Sequence, residues 1–349
     1  MISKSKKIPI IFVPGLMGTK LKRDRDGIQL WPSKICEKLQ KLALDENGND
    51  FPENKAHPIA VIKTIDSGTN IYKEFFDNMN NFGNYKENID LFTVPYDWRK
   101  DIEKESFRIK EKMDEILANR NTKIVIVAHS MGGFLVRSFL FKFPSYFSFI
   151  DKIFFCGTPH LGTPVALDMV YNGTNLPQIF WHNKDDIAFI TVNMPSIYQL
   201  MPSKKYENQN QNDFFQFNNN QTINNIGHVT VKSPNQSMMN KANVFHERLN
   251  KSWDKNRWAN KAFFLVSQNR NTINAIKQDK NNGKQIQMIH EYGKGDGRVP
   301  IGSTIPDFLI SDKTKQVFYF DEKHEQLVSN RLVVQKILDL LDYFNSSSI

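Results

Sequence analysis

The stretch TKIVIVAHSMGG, Thr122 to Gly133, decides how the rest of the chain is read. Ile124 to Val127 is an unbroken β-branched run, the pattern of a central strand buried on both faces. It runs straight into Ala128-His129-Ser130-Met131-Gly132, and the apolar residues from Met131 to Phe143 predict a buried helix ended by Pro144. A strand, a sharp turn bearing a serine, and a helix form the setting of a nucleophile elbow. Such a turn lifts a hydroxyl out of the sheet and strains its own backbone, so the positions two before and two after must be small. Ala128 and Gly132 meet that need, although Ala replaces the usual first Gly. The helix from Met131 points free amides and its positive dipole end at the place where an oxyanion would form beside Ser130.

Composition sets the frame around this element. With 349 residues, 40% hydrophobic and 27 Phe, the chain can bury a full core; length alone suits one large domain or two small ones, and residues 1–349 read as one. No apolar run approaches the ~20 residues of a membrane helix. Cys36 and Cys156 lie far apart, give neither a metal spacing nor a disulfide framework, and fit a reducing, cytoplasmic compartment. The opening MISKSKKIPIIFVPGLMG has a basic start, but its apolar part is short and contains Pro9 and Pro14, so it reads as a strand and not a secretion signal. The net charge of +9 is dispersed, which favours at most peripheral contact with an anionic membrane surface. No basic helical stripe or aromatic platform points to nucleic acid. The sequence specifies no oligomeric state.

Taken in order, Ile8 to Val13 predicts a buried strand ending at Pro14-Gly15-Leu16-Met17-Gly18-Thr19, a turn suited to presenting an amide to an anion. Residues 21–60 read as a polar, irregular excursion outside the core. Ile71, Phe75 and Met79 mark one helix face, Leu91 to Val94 a strand, and Ile102, Ile109, Met113 and Ile116 a second helix. Lys152 to Cys156 is another strand, followed by Gly157 to Pro164, GTPHLGTP. Residues 165–261 lose strand alternation and read as an inserted cap or lid region. Ala262 to Val266 resumes the sheet, Ile286 to His290 follows, and Gln316 to Phe320 precedes a helix from about Ser329 to Phe344. Apolar strands alternating with helices argue an α/β class with a mostly parallel sheet and helices on both faces.

Serine is a poor nucleophile near neutral pH and needs a base, itself oriented by a carboxylate. In doubly wound hydrolases the order is Ser, Asp or Glu, then His, each beyond a strand end. Of the eight histidines, His324 stands just beyond the last strand and fits that order best. Asp296 lies between two glycines beyond the preceding strand; Asp321 is the rival, on the same loop as His324. A loop aspartate closing an Asx turn is the plainer reading of Asp296.

The set VPGLMGTKL (Val13–Leu21), PYDWR (Pro95–Arg99), AHSMGG, PHLGTP, MPSIYQLMPS (Met194–Ser203), GDGRVP (Gly295–Pro300) and KHEQL resembles the lecithin:cholesterol acyltransferase family, which includes lysosomal phospholipases and phospholipid:diacylglycerol acyltransferases. The matches run in the family's order from Val13 to about Leu327. The resemblance implies an α/β-hydrolase fold, acyl-ester chemistry on a lipid substrate without metal or organic cofactor, and a Ser130, Asp296, His324 triad. It implies oxyanion amides from Met131 and from the Pro-Gly turn, with Leu16 preferred and Met17 the alternative. It also implies a mobile lid within residues 168–186, where Phe180 and Trp181 belong to an apolar cluster. Trp31 falls in the region of the family's membrane-binding loop and is a third candidate for substrate contact, but the disulfide that ties that loop in secreted members is not matched here. Tyr96 to Arg99 reads equally as a buried polar scaffold or a substrate contact. The other function classes are an esterase or thioesterase for small soluble substrates and a non-catalytic lipid-binding protein.

Overall fold

The apolar runs expected as strands at 8–13, 91–94, 124–127, 152–156, 262–266 and 316–320 all enter one sheet. The computed structural model describes residues 7–33, 36–65, 68–173, 184–210, 234–258, 261–279, 287–306 and 315–346. Its strands are β1 (Ile10–Val13), β2 (Thr19–Arg23), β3 (Gln29–Trp31), β4 (Ala56–Val61), β5 (Leu91–Thr93), β6 (Ile124–His129), β7 (Ile150–Cys156), β8 (Ala262–Ser267), β9 (Arg270–Asp279), β10 (Gln287–Gly295) and β11 (Val317–Phe320). Six of them form the main sheet in the order β11-β8-β7-β6-β1-β5, every neighbouring pair parallel.

Strand alternation sorts the core into two layers. Ile10, Phe12, Val125 and Val127 face one side, with Phe75, Phe76 and Met79 of α1 (Lys73–Gly83) and Val333, Val334 and Ile337 of the C-terminal helix Arg331–Ser346. Ile11, Val13, Ile124 and Ile126 face the other, with Ile109, Met113 and Ile116 of α2 (Phe107–Asn119) and the apolar residues of α3 (Gly132–Lys142). A strand covered on both faces has no polar side to show, which is why β1 and β6 read as unbroken apolar runs. This is the α/β-hydrolase fold.

The winding positions the site. From β1 the chain goes out to the edge at β5 and returns to β6 on the other side of β1. The connections therefore diverge at the carboxyl ends of β1 and β6, the crevice where open α/β sheets hold ligands. The register sets Val13 beside Ala128 and His129 beside Cys156.

Two expectations need correction. Residues 21–60 are not outside the core: β2, β3 and β4 form an antiparallel sheet, and Leu21, Leu30, Trp31 and Leu42 are fully buried. Their apolar residues are few and sit on strands of three to six residues, TKLKR, QLW and AHPIAV, too short for periodicity to show. Residues 287–290 do not extend the main sheet either: they open β10, which pairs with β9 as a separate antiparallel hairpin leading to Asp296, and Ile286 lies outside the described residues. Between β7 and β8 the elements among the described residues are helices: α4 (Pro164–Asn172), α5 (Lys184–Thr191), α6 (Pro195–Leu200), a short helix at Lys204–Asn210, α7 (Gln236–Lys251) and another short helix at Lys255–Trp258. Among the described residues no helix is long and apolar enough to cross a membrane.

Candidate active site

Ser130 occupies the left-handed region at φ 52°, a conformation that costs an L-residue about 1–2 kcal/mol. Its surroundings hold it there: the Ser130 amide donates to the Cys156 carbonyl at 2.9 Å, and the Gly133 amide donates to the Ser130 carbonyl at 3.0 Å. The turn after β1 presses on this elbow backbone to backbone. A Cβ on Gly132 would lie 2.5 Å from the Val13 carbonyl oxygen, and one on Gly15 would lie 2.9 Å from the Ser130 Cβ. Glycine at both positions is therefore a packing requirement.

The structure brings Ser130, His324 and Asp296 together from three strand ends. His324 Nε2 lies 2.8 Å from Ser130 Oγ, and His324 Nδ1 lies 2.7 Å from Asp296 Oδ2. A carboxylate only accepts, so Nδ1 carries the proton and Nε2 presents its lone pair to the serine hydroxyl. Asp296 is 1% exposed, and its other oxygen, Oδ1, accepts the amides of Arg298 at 2.9 Å and Val299 at 2.7 Å. The Asx turn and the histidine contact are thus both real, one at each carboxylate oxygen. Burial alone would lower the His324 pKa, but the charge and hydrogen bond of Asp296 outweigh it and hold the imidazole above its ordinary value. Asp321 stands apart, its carboxylate 3.2 Å from Arg270 on the surface.

Facing Ser130, the turn Gly15-Leu16-Met17-Gly18 closes with the Gly18 amide donating to the Gly15 carbonyl at 3.1 Å, and Met17 sits at φ 61°. Among the described residues, nothing accepts the amides of Leu16, Met17 or Met131. The turn's other polar groups are tied down. Tyr96 Oη donates to the Pro14 carbonyl at 2.9 Å, Trp31 Nε1 to that of Met17 at 2.8 Å, and Trp98 Nε1 to that of Thr19 at 3.1 Å. Tyr96 to Arg99 is thereby a buried scaffold, with Arg99 forked onto Asp97 and a second contact to Asp50. Trp31 is corrected as a substrate candidate: it is fully buried against Trp98, ring centroids 5.4 Å apart, and braces the turn from behind. Phe180 and Trp181 lie outside the described residues.

A cavity of about 720 Å³ opens over Ser130 and His324. Ile71, Val165, Ala166, Met169 and Leu200 give it an apolar wall, three of them from α4. Arg298, Lys323 and Glu325 add charge, Arg298 Nε lying 2.7 Å from Glu325 Oε1. Among the described residues no three His, Cys, Asp or Glu side chains are placed to hold a metal ion.

The family profile described as lecithin:cholesterol acyltransferase matches residues 60–336. The chain belongs to that family. A curated relative, phospholipase A(1) LCAT3 of Arabidopsis thaliana, is 25% identical over 241 residues, 58% of this chain and 54% of its own length. The chain thus spans about half the length of the curated relative it matches. In fold it is similar to a chain of the Tle4-Tli4 complex, with a TM-score of 0.62 at 12% identity, covering 96% of this chain and 98% of that one. The stretch matched by the acyltransferase family contains Ser130, Asp296 and His324, whereas the turn at 14–18 precedes it. Sequence reading missed what holds that turn, since Trp31, Tyr72, Tyr96 and Trp98 reach it across 14 to 82 positions. It also gives His129 no role.

Proposed function

We propose that the chain is a serine-dependent lipid acyl hydrolase or O-acyltransferase of the phospholipase type. The observation that carries this is the hydrogen-bonded line Ser130, His324, Asp296 beside a large, apolar-walled cavity. In this reading Ser130 Oγ attacks an ester carbonyl as His324 Nε2 takes its proton, and Asp296 stabilises the imidazolium. The carbonyl oxygen becomes an oxyanion that receives the Met131 amide and one amide of the opposing turn, Leu16 or Met17, an effect worth ~3 kcal/mol per donor. Collapse releases the alcohol, with the proton returned from His324, and leaves an acyl-Ser130 ester. Water or a second alcohol, activated in its turn by His324, removes the acyl group.

The acyl chain is read along the wall made by Val165, Ala166, Met169 and Leu200, so residues 165–261 serve as a cap on a single hydrolase domain. The +9 charge supports peripheral contact with anionic lipid, and the buried thiol of Cys156 suits a reducing, cytoplasmic setting. The test is incubation with a phospholipid and acylglycerol panel, with and without an added alcohol, and analysis of products. A fluorophosphonate should label wild type once, at Ser130. Labelling elsewhere, or full activity in Ser130→Ala, overturns the assignment; activity confined to short soluble esters turns it into a small-substrate esterase.

A further inference from the structure

His129, beside the nucleophile, is 4% exposed and both of its ring nitrogens are engaged. Nε2 lies 2.9 Å from the main-chain oxygen of His324, and Nδ1 lies 2.9 Å from the Tyr72 hydroxyl. A carbonyl only accepts, so Nε2 carries the proton. The neutral ring then offers a lone pair at Nδ1, and the Tyr72 O–H donates to it. The Tyr72 oxygen in turn accepts the Gly15 amide at 2.9 Å. Direction is fixed along the whole line: Gly15 N–H to Tyr72, Tyr72 O–H to His129, His129 N–H to the His324 carbonyl.

The line joins three elements far apart in sequence. Gly15 begins the turn that offers the Leu16 and Met17 amides, Tyr72 sits at the start of α1, and His324 lies beyond β11. They meet on the residue before Ser130. His324 is bound at every polar group: main-chain N–H to the Asp296 carbonyl at 2.9 Å, main-chain oxygen to His129, Nδ1 to Asp296 and Nε2 to Ser130.

We propose that His129 and Tyr72 are positioning residues, a buried hydrogen-bond relay that sets the base, His324, and the oxyanion turn at fixed positions about Ser130. The proposal rests on the reading of Ser130 as the nucleophile. The relay needs His129 neutral throughout turnover. Burial, with the neighbouring charge of His324, pushes its pKa down to about 3 against the opposing pull of its hydrogen bond to His324, Asp296 and Glu325. His324 gains a proton during the reaction while His129, its ring centroid 5.0 Å away, keeps its tautomer. Serine enzymes need a donor set that is in place before charge develops. Here one chain of hydrogen bonds serves donor turn and base together.

The decisive variant is Tyr72→Phe, which keeps the ring edge-on to Phe12 and deletes only the hydroxyl. Its kcat on p-nitrophenyl butyrate should fall about tenfold or more, toward the ~100-fold that a displacement on the order of 1 Å costs. KM should hold, and affinity for a boronic acid transition-state analogue should fall by the same factor as kcat. Independently of any variant, nitrogen NMR of the wild type should show His129 with a pyridine-like Nδ1 and a protonated Nε2, unchanged while His324 titrates. A protonated Nδ1 in the wild type overturns the relay. So does an unchanged kcat in Tyr72→Phe, or a raised KM at constant kcat, which would make Tyr72 a cavity wall. Wild-type labelling at Ser130 is the control: its failure removes the hydrolase reading, whereas labelling with an unaffected Tyr72→Phe removes only the relay.

Discussion

Trp31 donates its indole N–H to the carbonyl of Met17 at 2.8 Å, from a position with no solvent exposure. Met17 holds a left-handed backbone without being glycine, which persists only where surrounding contacts over-determine it. Trp31 from β3, with Tyr96 and Trp98 from the segment after β5, supplies those contacts. The small antiparallel sheet is therefore part of the site's architecture. It carries one of the donors that fix the turn facing Ser130.

Trp31→Phe should keep most of the packing on Trp98 and leave the buried Met17 carbonyl without its donor. An unsatisfied buried acceptor costs about 1–3 kcal/mol, to be read as a lower denaturant midpoint at unchanged slope. If the turn supplies oxyanion amides, kcat should fall while KM stays within about twofold. A raised KM at constant kcat would instead make Trp31 a substrate contact.

Ser130→Ala and Ser130→Gly both remove the hydroxyl, and both should lose activity by several orders of magnitude. They differ in backbone. Alanine keeps the left-handed strain at φ 52° and glycine relieves it, so the glycine variant should be the more stable of the two by about 1 kcal/mol, or about 2 °C in Tm. Equal melting temperatures would mean that the elbow stores no strain.

The strand-end positions of Ser130 and His324 were legible because each stands just beyond an apolar strand, β6 and β11. Asp296 follows the mixed strand β10, where position left Asp321 as a rival and the resemblance to the acyltransferase family added weight to Asp296. Hairpin β9–β10 was half visible: the strand residues at 287–290 were read, but pairing apart from the main sheet depends on Arg270 to Asp279, whose polar face hides the pattern. The braces were not legible. A tryptophan in a polar stretch and a tyrosine at the start of a helix carry no local mark of partners 14 and 57 residues away. His129 adjoins the serine in sequence but points away from it, and that orientation lets it reach Tyr72 and His324.

The pH profile should follow His324. The groups facing it are Asp296, Glu325, Arg298, His129 and Ser130. Desolvation lowers its pKa and Asp296 raises it by more, so the net value lies above the usual 6.5. The base must be neutral, so kcat/KM should rise with pH through a midpoint above 6.5. A folded-state pKa raised above the unfolded one contributes stability that is full below pH 6.5 and lost as pH passes upward through the folded value. Asp296→Asn should move the kinetic midpoint down and lower the plateau by up to ~10⁴-fold, while Asp321→Asn leaves both in place. The reverse pattern would assign the carboxylate role to Asp321.

Helix α4 forms part of the cavity's apolar wall. Ala166 is 1% exposed and lines the cavity between its neighbours Val165 and Met169. A phenyl ring there would project into space that the acyl chain occupies in the proposed reaction. It would leave Ser130, His324 and Asp296 untouched, since none of them contacts α4 through a hydrogen bond. Ala166→Phe should therefore reduce kcat/KM on a long-chain phospholipid by about 10- to 200-fold, the range over which a pocket discriminates by fit. Hydrolysis of a two- or four-carbon ester should change by less than threefold, as should the rate of fluorophosphonate labelling. The paired measurement separates the outcomes. Loss on both substrates with a lower Tm means that the ring was forced into the core. No loss on either places the acyl chain along another wall, and Ile71, which lines the same cavity from outside α4, becomes the next position to fill.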